Sequence, residues 1–149
     1  MNRHNILAQL LAADHVVVFT GAGMSADSGI PTFRDGAGAL WNDIDPMTVA
    51  SLQGFEADPD RVWEWHLALK RSTEPAQPNR GHEAIAALEQ ILSQARITVI
   101  TQNIDGLHQR AGSREVIELH GTVNRIRCHD CCGYETTWDD LPISRICPD

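Results

Sequence analysis

The chain places a β-branched apolar run, Val16-Val17-Val18-Phe19, directly before Thr20-Gly21-Ala22-Gly23-Met24-Ser25-Ala26-Asp27-Ser28-Gly29. That order restricts the fold more than any other feature. An apolar run bounded by His15 and Gly21 predicts a buried strand over 16–20. A strand that ends in closely spaced glycines makes a turn whose backbone can approach an anion. Gly21 permits the tight turn, and Gly23 lets the main chain come near a pyrophosphate. The free N–H groups and dipole of a following helix attract negative charge. Residues 21–26 fit G-x-G-x-x-G/A. A dehydrogenase-type fold then needs a helix, a second strand and an acidic residue about 20 positions on. Asp43 and Asp45 have no strand before them, and the next strand-like run starts at Ile97. No Gly-Lys-Ser/Thr follows, so the turn is not a Walker loop either.

The rest of the chain alternates helices and strands. Helical spacing of Ile6, Leu7, Leu10 and Leu11 predicts an amphipathic helix over 5–13. Residues 21–60 hold many glycines and prolines but also Trp41 and Phe55, and read as ordered loops with short helices. A helix is expected over 60–72, with Asp58 as cap and Pro59 in its first turn. Residues 75–79 form a turn. A helix over 81–95 puts Ile85, Leu88, Ile91 and Leu92 on one face. Strands are expected over 97–101 (ITVIT) and 115–119 (EVIEL), with a short helix over 106–111 between them. No internal repeat or low-complexity tract is present.

This alternation implies an α/β fold built on a parallel sheet. Ligands of such sheets bind beyond the carboxyl ends of the strands. Each expected strand ends in a polar cluster, GAGMS, TQNIDG or HG, and the three are expected to converge on one crevice. The 149-residue length favours one domain, and 42% hydrophobic with 21% charged residues is ordinary for a globular chain. A net charge of −8 repels nucleic acid and anionic membranes. No apolar run approaches the ~20 residues of a membrane span, and the N-terminus lacks a signal-peptide pattern. A cytoplasmic location is expected. The four cysteines, Cys128, Cys131, Cys132 and Cys147, all follow position 127. Such clustering favours a metal site over disulfides.

The stretch GAGMSADSGIPTFRDGAGALW closely resembles the signature of sirtuins, NAD-dependent protein-lysine deacylases. TQNIDGLH, ELHG and Cys128-His129-Asp130-Cys131 resemble the later signatures in order and spacing. The resemblance lies nearest the bacterial desuccinylase-like branch. It implies a partial Rossmann-like parallel sheet with flanking helices over 1–122, including a helical insertion at about 36–80. An incomplete zinc-ribbon module would follow over 123–149.

The family reaction cleaves the nicotinamide–ribose bond of NAD and moves the acyl group of a modified lysine to ADP-ribose. Acyl-lysine proteins or peptides are therefore the implied partners. By this resemblance Gly21, Ala22, Gly23 and Ser25 lie against the phosphates and the nicotinamide ribose. Phe33 shields the nicotinamide end and Arg34 anchors the cofactor; core packing is the plainer role for Phe33. Gln102, Asn103, Ile104 and Asp105 contact the ribose and the carboxamide. Asn103 and Asp105 would equally serve as caps for the helix at Gly106. His120 is the expected general base, with Asn103 as the second catalytic residue, since a near-neutral imidazole suits that work. His108 and His129 are expected to be structural or exposed.

The zinc ligands implied are Cys128, Cys131 and Cys147, with the fourth unidentified; Cys132, His129, a water or a partner chain are the alternatives. Cys132 is otherwise a small thiol. The family core continues beyond the point matching Asp149, so the chain reads as truncated within the zinc module, with weak or absent activity alone. In succinyl-selective relatives a Tyr-x-x-Arg pair holds the distal carboxylate. His66 and Leu69 stand at those places, so acetyl or longer neutral acyl groups are expected over succinyl. An inactive NAD- or ADP-ribose-binding module and an ADP-ribosyltransferase are the competing functions.

Overall fold

Three parallel strands lie side by side: β1 (His15–Thr20), β2 (Arg96–Thr101) and β3 (Val116–Glu118), with β2 in the middle. The computed structural model describes residues 3–32, 43–130, 132–141 and 146–148. Register runs from His15↔Arg96 to Thr20↔Thr101, and from Val99↔Val116 to Thr101↔Glu118. HVVVFT and RITVIT are rich in branched residues that fit a pleated surface. Because the strands are parallel, all three carboxyl ends reach one edge of the sheet.

Helix α1 (Arg3–Leu11) precedes β1, and a 3-10 helix (Ala22–Ser28) follows it. Helices α2 (Pro46–Val49), α3 (Leu52–Ala57), α4 (Pro59–Thr73) and α5 (Arg80–Ile91) fill the connection to β2. Side-chain caps start all four. Asp45 Oδ1 accepts from the Met47 N–H, and Ser51 Oγ from that of Gly54. Asp58 Oδ1 accepts from Arg61, with Pro59 at the first helical position as expected. Asn79 Oδ1 accepts from Gly81 and His82. A Cβ on Gly54 would sit 2.6 Å from the Thr48 carbonyl oxygen, so the close crossing of α2 and α3 requires glycine. Short α6 (Leu107–Arg110) lies between β2 and β3. A separate hairpin, β4 (Ile126–Arg127) and β5 (Glu135–Thr136), is antiparallel. Trp138 Nε1 donates to Val123 O at 2.6 Å, and its ring meets Trp63 of α4 edge-on at 5.6 Å. The hairpin is thereby docked on α4.

The buried apolar residues include Ile30, Ala76, Val99 and Leu107, of which Leu107 is fully buried. Arg110 Nη1 donates to Ala76 O at 2.7 Å and ties α6 to the turn before α5.

The sheet differs from expectation in one respect. β1 is not buried on both faces: Val17 is 51% and Phe19 61% exposed, and Ile117 on the same face is also exposed. The opposite face, with Ile97, Val99 and Thr101, is buried. An all-apolar run reads as a strand covered twice, yet among the described residues β1 lies at the edge of the sheet and its Val17–Phe19 face is exposed. Ile6, Leu7 and Leu11 of α1 are exposed as well. On α5, Ile91 is exposed, while His82 is fully buried.

Candidate functional site

Backbone hydrogen bonds bind the strand ends together. The Gln102 N–H donates to Thr20 O at 3.0 Å, and Leu119 N–H to Thr101 O at 2.9 Å. The loops that leave β1 and β2 therefore start side by side. Ser25, almost fully buried, donates from Oγ to Asp105 Oδ2 at 2.7 Å. Asn103 Nδ2 donates to Ser25 Oγ at 3.0 Å, and its own N–H is held by Thr101 Oγ1. Asp105 Oδ1 accepts from the Leu107 N–H and so also caps α6. The capping and functional readings of Asp105 are compatible, because each uses a different oxygen.

Ala22, Ser25, Ile30, Leu69, Asn103, Ile104 and Asp105 line one cleft of about 20 Å³. Beside Gly21 and Gly23 none of the described residues, apart from the chain neighbours, reaches within 4 Å of where a Cβ would stand. The helix expected after the turn is a 3-10 helix, closed by Met24 N–H to Gly21 O at 2.9 Å. Gln102 is exposed, and Ile104 O accepts from Val123 N–H at 2.9 Å. His120 is exposed in the turn that follows β3, at the same edge of the sheet as the other two loops. Phe33, Arg34 and Cys131 lie outside the described residues.

The two acyl-site candidates separate. Leu69 is buried and lines the Ser25–Asp105 cleft. His66, three positions earlier, donates from Nδ1 to Val62 O at 2.9 Å and lines a different cavity. That cavity, about 360 Å³, lies between α3, α4 and the β4–β5 hairpin, with Phe55, Trp63, Tyr134 and Trp138 in its walls. It is larger and also carries polar side chains, among them His66, Thr122, Arg125 and Asp130, but it does not include the strand-end residues Ser25, Asn103 and Asp105.

Among the described cysteines, the Sγ atoms of Cys128, Cys132 and Cys147 lie within 4.8 Å of one another. Cys132 and Cys147 are 3.3 Å apart. Hydrogen bonds, first from Cys132, hold the Cys128 thiol below its ordinary range, which favours the ligating thiolate. Three sulfurs at this spacing suit a soft ion such as zinc. His129 turns away, toward Glu56 at 3.8 Å and the Phe55 ring at 5.2 Å.

Sequence reasoning passed over three residues, Thr20, Asn79 and His82, and held Cys132 only as one alternative for the fourth ligand, because the C-x-x-C spacing points to Cys131. Thr20 reads only as the end of a strand. Asn79 and His82 grip the Gly-rich turn: Asn79 Nδ2 donates to Met24 O at 2.8 Å and to Ser28 Oγ at 3.0 Å. The spacing Asn79-x-x-His82 is a capping-box pattern with histidine at the third position, and it was the available signal.

Residues 21–145 match the Sir2 family. The chain belongs to that family. An NAD-dependent protein deacylase of Methylococcus capsulatus is 50% identical over 126 residues, covering 85% of this chain and 49% of the relative. NAD-dependent protein deacylase 2 of Archaeoglobus fulgidus is 53% identical over 126 residues, covering 83% and 48%. The solved complex of a Sir2 homologue with NAD superposes with a TM-score of 0.80 at 41% identity, over 95% of this chain and 54% of that one. This sirtuin chain thus spans about half the length of the curated relatives it matches. The Rossmann-like parallel sheet is shared with these structures. No helix among the described residues is long and apolar enough to cross a membrane.

Proposed function

We propose that this sirtuin chain carries the nicotinamide-ribose end of an NAD-dependent protein-lysine deacylase site. The observation that carries the reading is the chain of hydrogen bonds Asn103–Ser25–Asp105 at the carboxyl ends of β1 and β2. The donor set fits the cofactor. Asp105 Oδ2 is an acceptor for a carboxamide N–H, and Ser25 and Asn103 offer hydroxyl and amide groups to ribose. The open backbone at Gly21 and Gly23 suits phosphate oxygens, with Ala22 between them lining the cleft. Phe33 and Arg34 are assigned to the same cofactor by their place in the family motif. Bound NAD supplies an anomeric carbon made reactive by the departure of nicotinamide. His120 takes the proton from a ribose hydroxyl, its ring being exposed at the same edge of the sheet. Asn103 holds the ribose for that step. The cleft is small, so ligand entry requires its apolar walls, Ile30 and Leu69, to yield.

Zinc would be held by Cys128, Cys132 and Cys147, with Cys131 as the further thiolate of the motif. There it supplies a structural cross-link rather than chemistry. The substrates proposed are acyl-lysine proteins or peptides. Leu69 in the cleft offers no partner to a distal carboxylate, so acetyl and longer neutral acyl groups are favoured over succinyl. His66 lines the larger cavity rather than that cleft. A cytoplasmic site of action fits the acidic chain.

Mass spectrometry of the chain with NAD, zinc and an acetyl-lysine peptide tests the reading. O-acetyl-ADP-ribose that disappears in His120→Ala supports it. Binding of NAD without product favours the second reading, an NAD- or ADP-ribose-binding module.

A further inference from the structure

Among the described residues, three buried side-chain atoms have no hydrogen-bond partner: His82 Nε2, His108 Nδ1 and Ser113 Oγ. Two of the three belong to neighbouring rings. His82 and His108 are both almost fully buried, with ring centroids 4.8 Å apart and an interplanar angle of 63°. Unmatched polar atoms of this kind are uncommon and ask for an explanation.

The other nitrogens of the two rings are engaged. The Asn79 N–H donates to His82 Nδ1 at 3.2 Å. A backbone N–H is always the donor, so His82 Nδ1 is the bare nitrogen and the neutral ring carries its proton on Nε2. His108 Nε2 meets Thr20 Oγ1 at 2.9 Å. With its proton on Nε2, His108 presents a bare Nδ1. The two unmatched atoms are then a donor and an acceptor on adjacent rings. We propose that His82 and His108 are positioning residues that act as one neutral imidazole pair, clamping the Gly-rich turn through Asn79 on one side and Thr20 on the other.

The consequence lies in where the clamp acts. Asn79 holds Met24 and Ser28, within the 3-10 helix. Thr20 is the residue just before Gly21. Ser25 lies between these anchors and is aimed at Asp105 and Asn103. The pair therefore sets the position of Ser25 without touching a ligand. Burial lowers both imidazoles below the ordinary histidine value, and each proton on His82 further opposes one on His108. Asp105 is the charged group acting on both rings; it favours protonation and is outweighed by burial. This role rests on the reading of the turn as an NAD site.

The test uses the full chain with ¹⁵N-labelled histidine, compared with His108→Gln, His108→Phe and Thr20→Val. The expected spectra show both histidines in the Nε2–H tautomer and neither titrating near 6.5. A proton on His82 Nδ1, or two ordinary titrations, would overturn the pairing. Glutamine can replace Nε2 toward Thr20, so His108→Gln should keep the NAD dissociation constant within about twofold. His108→Phe and Thr20→Val should each raise it by about three- to tenfold, and together by no more than either alone. Equal behaviour of the Gln and Phe variants would mean that the ring merely fills space. If the unaltered chain binds no NAD, the site reading fails separately. The clamp is then judged by amide exchange at Met24, which must speed up in His108→Phe and not in His108→Gln.

Discussion

Ser25 and Asp105, 80 positions apart in sequence, are joined by a hydrogen bond of 2.7 Å. The bond ties the turn after β1 to the loop after β2; it uses Asp105 Oδ2, while Oδ1 holds the start of α6 and the residue lines the cleft.

That division of labour makes Asp105→Asn informative. The asparagine carbonyl can still accept from the Leu107 N–H, so the cap is retained. The charged acceptor facing the cleft is lost. NAD affinity, read by calorimetry, is expected to fall roughly ten- to a hundredfold with little change in melting temperature. Asp105→Ala should lose the cap too, at a further cost of about 1 kcal/mol in stability.

Burial separates two apolar positions that look alike in sequence. Leu107 is fully buried beneath the site, and Leu107→Ala is expected to cost about 2–5 kcal/mol in urea unfolding. Phe19 is 61% exposed, and Phe19→Thr should stay within about 0.5 kcal/mol. A large loss at Phe19 would mean that its face of the sheet is covered in solution.

The contrast shows where sequence reading succeeds and where it stops. The β1 run and its turn were legible because branched residues followed by spaced glycines have few other structural uses. Asp58-Pro59 marked the start of α4 for a similarly local reason. Whether Phe19 faces solvent depends on how many layers meet the sheet, and no local pattern records that. His82 and His108 were illegible for another reason: a single histidine carries no periodic signal, and their pairing arises only when α5 and α6 meet. Cys132 stood only as an alternative ligand, because the C-x-x-C spacing beside it points to Cys131. The cofactor loops could be named from their motifs, but the sharing of Asp105 between cap and cleft is visible only as geometry.

Two acid-sensitive contributions should appear at different pH. Folding lowers the histidine pair below its ordinary value of 6.5, so the unfolded chain binds these protons first. Their contribution is complete above 6.5 and is lost as pH falls below it. Arg96, which donates from Nε to Glu115 at 2.8 Å, holds that carboxyl at about 2 rather than 4.5. Its contribution persists above 4.5 and fades as pH falls from 4.5 toward about 2. Melting temperature followed from pH 8 to pH 3 should show both. The lower step should vanish in Glu115→Gln and shrink with salt, as befits an exposed pair.

The thiol cluster predicts metal-dependent order in the hairpin. Titration with Co²⁺ should give thiolate charge-transfer absorption at one ion per chain, and Cys132→Ser should weaken it. A chelator should speed amide exchange at Cys128, whose N–H bonds Tyr134 O, while β2 stays protected. Unchanged absorption in Cys132→Ser would remove that residue from the ligand set.

The central claim is that the Ser25–Asn103–Asp105 cluster receives the nicotinamide end of NAD. Titrating the ¹⁵N-labelled chain with NAD, and following each backbone amide by NMR, tests it most directly. The account predicts shifts concentrated at 21–25 and 102–106 and abolished by Asp105→Asn. Shifts confined to the aromatic cavity around Trp63 and Trp138, or none at all, would contradict it.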